Sequence, residues 1–422
     1  MKQILIVLFV VINLMAVDAE LDIIRKNTII PNIAVNIPEH CVNKKLAKKI
    51  KFLLEKDFLV SGHFNVEKLD YKLDSIEEKF NYSNKAFNHI DLVLNLEIEK
   101  SSANAIVVSV SLVDINKQEE VLRKNYSMST SNRYPFLSHK IAIVINDYLK
   151  APTIKWMDRF VIFARYTKPK QSEIVVADYT LTYQKVVVSG GLNIFPKWAN
   201  KEQTSFYYTT YDKTYPSLIK QNLYTSATKT ILSSNGMVVC SDVSKDGKKL
   251  VVTMAPHDQP DIYIYNTKTK LKTKITSYKG IDVGGNFVEN DTKVIFVSDR
   301  LGNPNIFAKK INENGVERLV YHGKNNSQAT TYDDYIVYSS RETLNEFGNN
   351  TFNLYLISTT SDEIRRLTTQ GSNQFPKFSA DGESILYIKN ENNKSYLGII
   401  RLNYNKSFLF TLRSGKLQSI DW

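Results

Sequence analysis

The chain has 422 residues, 43% of them hydrophobic, enough to bury a large core and to form two domains. Its net charge is +12, and residues 156–422 hold 34 Lys and Arg against 25 Asp and Glu, scattered over short loops. No basic run interleaved with aromatics marks a nucleic-acid groove, and two cysteines, Cys41 and Cys240, exclude a disulfide scaffold or a zinc cluster.

The chain opens on "MKQILIVLFVVINLMAVDAE". Lys2 supplies a basic start, Ile4 to Met15 an apolar run, and Val17-Asp18-Ala19 the small residues of a cleavage site. A run of about a dozen residues is short for a bilayer span, so residues 1–19 read as a signal peptide and the mature protein as exported from Glu20. An uncleaved anchor is the alternative.

Residues 20–153 follow as a small α+β domain. "LDIIRKNTIIPNIAVNI" is a strand region, and "NKKLAKKIKFLLEKDFL" places Leu46, Ile50, Leu53, Leu54 and Phe58 at helical spacing. "IDLVLNLEIEK" and "NAIVVSVSLVDINKQE" alternate as strands, with a hairpin through Ser101–Asn104. "PFLSHKIAIVINDYLK" closes the domain as a helix, and "APTIKWMD" is a short connection.

Residues 154–422 repeat. Trp198, Val243, Phe287 and Phe378 each precede an apolar strand by seven residues, with a degenerate copy near Ala329. The spacing is 44 to 45 between the first three anchors, and Phe378 plus the same 44 lands on Trp422. Each copy contains about four short strands, and Asp246-Gly247 and Asp381-Gly382 suit the turn between the first two. Four strands every 44 residues predict propeller blades, each needing neighbours to bury its second face. The first unit, from "RFVIFARY", lacks its leading strand, while the chain ends on a lone one, "KLQSIDW". The two defects are complementary, so the expectation is a six-bladed all-β propeller closed by the C-terminal strand, with Ile420 and Trp422 making the closure.

Catalytic patterns are sparse. The six histidines show no i,i+3 or i,i+4 pairing, so no metal site is expected, and His139 reads as a packed or capping residue. There is no G-x-S-x-G elbow, and Ser189-Gly190-Gly191 reads as an inter-blade turn. A disulfide between Cys41 and Cys240 stays open, with buried thiols the preferred reading. The loops 254–260, 298–304 and 339–350 emerge on the face of the blade-to-blade connections. They carry His257, Asp299, Arg300 and Arg341 around one mouth of the channel, as a binding surface or, for Asp299 and Arg300, as a solvated structural pair.

Several stretches resemble the TolB family of the Tol–Pal cell-envelope system: "EKDFLVSGHF", "VSLVDINKQEEVLRKNY", "SHKIAIVINDYL", "SDVSKDGKKLVVTMAPHDQPDIYIYN" and "VSDRLGNPNIF". The resemblance spans 20–422. It departs at the domain junction, where a glycine is missing around "KAPTI", and in the fourth full blade, which lacks the Asp-Gly turn. It implies a non-enzymatic periplasmic protein without cofactor, monomeric outside its complex, supporting outer-membrane integrity and constriction at division. It further implies that the channel mouth binds a Pal-like lipoprotein, with Met237 and Val283 at contact positions. A TolA-like inner-membrane protein would be engaged by the mature N-terminus, Glu20, Leu21, Asp22, Ile23 and Ile24. The alternatives are a prolyl-oligopeptidase-like propeller, for which 422 residues leave no room for a catalytic domain, and a glycan-binding propeller.

Overall fold

The computed structural model describes residues 30–101, 105–342, 351–361 and 363–422. The calls on residues 1–19 and on Glu20 to Ile24 lie outside them, as does the turn at 102–104. Among the described residues no helix is long and apolar enough to cross a membrane.

The small domain is a five-stranded sheet with two helices. Its elements are β1 (Asn32–Asn36), α1 (Lys44–Ser61), β2 (Asn65–Val66), β3 (Leu92–Ser101), β4 (Ile106–Asp114), β5 (Glu119–Met128) and α2 (Tyr134–Tyr148). The sheet order is β2-β1-β3-β4-β5, with β1 parallel to both neighbours and the rest antiparallel. Ser101 pairs with Ile106, as the predicted hairpin requires. The five residues read at helical spacing are the buried stripe of α1, together with Ala47. Each such large apolar side chain contributes roughly 1.5–3 kcal/mol by leaving water. Asn43 caps the start of α1 by accepting from the Leu46 amide at 3.0 Å. Gly62 ends it at φ +77°, and a Cβ there would meet the Tyr404 ring at 3.0 Å. That glycine therefore serves both the left-handed cap and the approach of the second domain.

Beyond the short 3₁₀ turn Lys155–Asp158, six four-stranded blades form the ring, the fifth and sixth joined by one parallel pairing of Phe352 with Ser372. Blade 1 is the composite: Lys416–Asp421 lies innermost, followed outward by Val161–Lys168, Gln171–Ala177 and Gln184–Val188. The innermost strands of blades 2 to 6 are Asn193–Trp198, Val238–Val243, Asp282–Val288, Lys324–Tyr332 and Ser372–Phe378. Closure is by antiparallel pairing, with Ile420 opposite Phe163 and Asp421 opposite Ile162. Trp422 lies 5.4 Å from the Trp156 ring, and its Nε1 donates to the Phe378 carbonyl at 2.7 Å. The outermost strands of blades 3 to 5 are two or three residues long and carry charge, which leaves little edge for another chain to pair with.

Two details of the repeat differ from the sequence reading. In blade 5 the anchor is Thr331, opposite Ile336, and not Ala329. The chain turns at once between Tyr332 and Tyr335, with Asp333 at φ +45°, so this hairpin is two residues shorter than the others. In blade 2 the hairpin is one residue longer, and Trp198 faces Phe206 where Ser205 was expected.

The small domain sits on blades 1 and 6, and its core runs continuously into theirs. It meets the connections between third and fourth strands, Asp178–Tyr183 and Leu402–Tyr404. These lie on the same face as the Asp-Gly turns. The described residues of the small domain leave the opposite face, with the blade-to-blade connections, clear.

Candidate binding channel

Each innermost strand is interrupted by a β-bulge, between Ile194 and Lys197, Cys240 and Asp242, Val283 and Asn286, Ser327 and Thr330, and Gln374 and Lys377 directly before the residue preceding the anchor, and in blade 1 two residues earlier, between Leu417 and Ser419. A bulge bends its strand and re-aims side chains, and the six together shape the wall of the central channel. Phe195 and Phe375 adopt φ of +55° and +54° there, a conformation that costs a residue other than glycine about 1 kcal/mol or more. Neighbouring blades hold them: the Phe195 amide donates to Ser419 Oγ at 3.1 Å and the Phe375 amide to Gln328 Oε1 at 2.9 Å.

Just past the bulges, the residue before each anchor completes a ring: Asp421, Lys197, Asp242, Asn286, Thr330 and Lys377 from blades 1 to 6. Lys197 bridges its two neighbours, 3.1 Å from Asp421 and 3.2 Å from Asp242. Burial opposes its charge, yet the two carboxylates together carry its amine well above the ordinary lysine range. The same carboxylates accept backbone amides of the next blade, Asp421 from Trp198 and Asp242 from Phe287, each at 2.9 Å. Among the described residues Lys377 makes no such contact, and burial followed by repulsion from Lys197 pulls its pKa down against the attraction of Asp421 and Asp242.

The ring is a waist between two cavities. That toward the blade-to-blade connections has a volume of about 420 Å³ and walls mostly apolar, and its lining includes two lysines and no carboxylate. The other, about 240 Å³, is bordered by Asp242, Asp291 and Asp421 and by the same two lysines, Lys197 and Lys377. Cys240 faces the larger cavity, but burial raises its thiol far above the range in which a thiolate forms. Cys41 and Cys240 are both free and buried, so they form no disulfide.

Of the residues expected at the mouth, Met237 and Val283 line the larger cavity. His257, Asp299, Arg300 and Arg341 do not. His257 is exposed on its loop. Asp299 accepts the Ile281 amide at 2.8 Å and so ties two loops together. Arg300 pairs with Asp282 at 3.0 Å, not with Asp299, and lies 5.1–5.2 Å from the rings of Tyr278, Phe296 and Phe307. The Asp299–Arg300 pair is therefore corrected: a buried carboxylate on the neighbouring strand wins the guanidinium. Arg341 ends its strand opposite Lys324 and Phe352. The ring itself went unread, although aligning the residue before each anchor would have displayed it.

The second polar cluster lies on the far face, between the domains. His139 of α2 is fully buried, with Nδ1 at 2.9 Å from Asp57 of α1 and Nε2 at 3.4 Å from Asp178 of blade 1. Tyr179 donates to Asp57 at 2.5 Å. Burial resists protonation of His139, but the two carboxylates prevail and push its pKa up to about 10. Nearby, His63 bridges Asn146 at 2.5 Å and the Tyr404 hydroxyl at 2.6 Å. His139 is thus packed, as read, and also charged.

Comparison with known proteins supports the two-part architecture. A family model described as the TolB beta propeller domain matches residues 159–422, and one described as the TolB amino-terminal domain matches residues 19–121. The chain is 48% identical over 413 residues to the Tol-Pal system protein TolB of Wolinella succinogenes, covering 97% of each chain. It is 46% identical over 424 residues to that of Campylobacter jejuni strain RM1221, with both covered in full. Among solved structures, TolB from Acinetobacter baumannii superposes with a TM-score of 0.77 at 20% identity, covering 93% of this chain and 97% of that one.

Proposed function

Since the chain belongs to the TolB family, we propose that it is a non-enzymatic, periplasmic protein-binding component of a Tol–Pal-like system. A Pal-like lipoprotein docks at the mouth formed around Met237 and Val283, and a TolA-like inner-membrane protein engages the mature N-terminus, Glu20 to Ile24. Residues 1–19 are the export signal, 20–153 the small domain and 154–422 the propeller. Through these contacts the protein supports outer-membrane integrity and envelope constriction at division.

The carrying observation is the channel. A cavity of about 420 Å³ with mostly apolar walls opens on the face that the small domain leaves clear. Pockets with apolar walls and a few placed polar groups are where ligands and partner side chains are taken up. The test is capture from a detergent extract of the envelope. The unmodified protein recovers a peptidoglycan-associated lipoprotein, Met237→Glu recovers much less, and deletion of residues 20–24 loses only the TolA-like protein. Recovery of no such lipoprotein by the unmodified chain removes the reading.

A further inference from the structure

Helix α1 carries a surface that its own stability does not call for. Its inner stripe is buried in the small domain, while Lys45, Lys48, Lys49, Phe52, Lys56 and Leu59 follow one line along its outer side. At 3.6 residues per turn these six fall within about 100° of arc, with Phe52 near the middle. Phe52 is 59% exposed and Leu59 is 47% exposed, two turns apart on that line. Lys56 Nζ stands 4.3 Å from the centre of the Phe52 ring. One exposed apolar side chain is ordinary, but a pair framed by cations marks a surface that something covers.

The charge on this line has one sign. Lys44 pairs with Glu39 and Lys51 with Glu55, whereas Lys45, Lys48, Lys49 and Lys56 make no ion pair with a described residue. Asp57 turns inward to His139. The first turn of α1 holds no acidic residue, and Lys44 and Lys45 stand there, where the helix dipole favours anions and disfavours cations. A helix arranged for stability alone has acids in its first turn and polar residues at positions 52 and 59. Local choices that oppose stability in this way point to a function.

The complementary chemistry is a layer of anionic groups over an apolar interior. Lysines are flexible point charges without the fork of arginine, so they suit a diffuse layer of phosphates better than one oriented carboxylate. From Lys45 to Leu59 the line runs about 21 Å along the outside of a single helix, a shape that a flat surface can meet along its whole length. We infer that the outer face of α1 docks on an anionic lipid surface, with its lysines on the phosphate headgroups and Phe52 and Leu59 entering between them. The small domain lies on the propeller face opposite the channel mouth, so this contact leaves the mouth free and does not rest on the docking reading above.

The test is flotation of the mature chain from Glu20, so that no apolar leader contributes, with vesicles of phosphatidylglycerol and phosphatidylcholine in equal parts or of phosphatidylcholine alone. The anionic vesicles bind at least about tenfold tighter, and the advantage shrinks as salt rises. Lys45→Glu, Lys48→Glu and Lys49→Glu together weaken that binding about a hundredfold or more, since each lysine near such a surface contributes a factor of about five. Melting is not lowered, because the three side chains are exposed and outside any ion pair. Phe52→Ser weakens vesicle binding about tenfold. Brominated lipid quenches the emission of Phe52→Trp and leaves that of the unmodified chain unchanged. Equal binding to the two kinds of vesicle, or full binding by the triple lysine variant, overturns the lipid site. Soluble polyglutamate that binds the unmodified chain but not the triple variant, with vesicle binding untouched by Phe52→Ser, overturns lipid as the occupant in favour of an acidic protein segment.

Discussion

The two charged clusters, at the domain seam and at the channel waist, solve burial differently. At the seam, His139 is enclosed by Asp57 and Asp178, and Tyr179 adds a hydrogen bond to Asp57. At the waist, Lys197 is matched in the same way, whereas Lys377 is attracted by the same two carboxylates without an ion-pair contact to a described residue. A charge that the fold neutralises holds elements together, here helix to helix and blade to blade. A charge held only by carboxylates beyond ion-pair distance contributes less to that cohesion.

Removing parts of each region sharpens the contrast. The largest effect is expected from deleting residues 417–422, which strips the inner strand from blade 1 and exposes edges on blade 1 and at its seam with blade 2. Cooperative melting of the propeller should be lost, and an unchanged calorimetric transition would mean that the ring closes without this strand. Next is His139→Leu, which leaves Asp57 and Asp178 buried without their cation and should cost about 3–5 kcal/mol in chemical denaturation. A loss under about 1 kcal/mol would show the seam cluster to be incidental.

The same histidine sets a pH dependence. Its folded pKa, near 10, lies above the unfolded value of about 6.5, so its contribution is complete below about 6.5 and declines as pH rises toward 10. Denaturation midpoints across that window should fall in the unmodified protein and flatten in His139→Leu. A parallel slope in both would assign the dependence to other groups.

The smallest change is expected at the waist. Lys197→Met should destabilise by about 2–4 kcal/mol, because Asp421 and Asp242 then face each other uncompensated. Lys377→Met should move stability by less than about 1 kcal/mol, since Lys377 makes no ion-pair contact with a described residue and its attraction to Asp421 and Asp242 acts over a longer distance. Equal losses at the two lysines would erase the distinction between a lysine in ion-pair contact and one outside it.

Much of the fold was legible because a propeller writes itself as a period. The repeat near 44 residues, with a missing first strand and a surplus last one, pointed to six blades and to closure at Ile420 and Trp422 before any contact was known. The period misled only where a hairpin changed length: at blade 5 the turn through Asp333 shifted the anchor from Ala329 to Thr331. Met237 and Val283 were placed at the cavity by resemblance, whereas Arg300 was placed by its loop and proved to belong to Asp282. Loop position in the sequence carries no information on which nearby charge will win a guanidinium.

Sequence alone therefore determined the two-part architecture and the blade count, since alternation and spacing are local properties that survive translation along the chain, and the family through the resemblance of its motifs. Tertiary structure alone decided which charges are neutralised. Lys197 and Asp421 lie 224 residues apart, and His139 and Asp57 lie 82 apart. No local pattern links such pairs. Only closure of the ring and docking of the small domain bring them within hydrogen-bond range, and the same closure sets Lys377 in the ring without an ion-pair contact to a described residue.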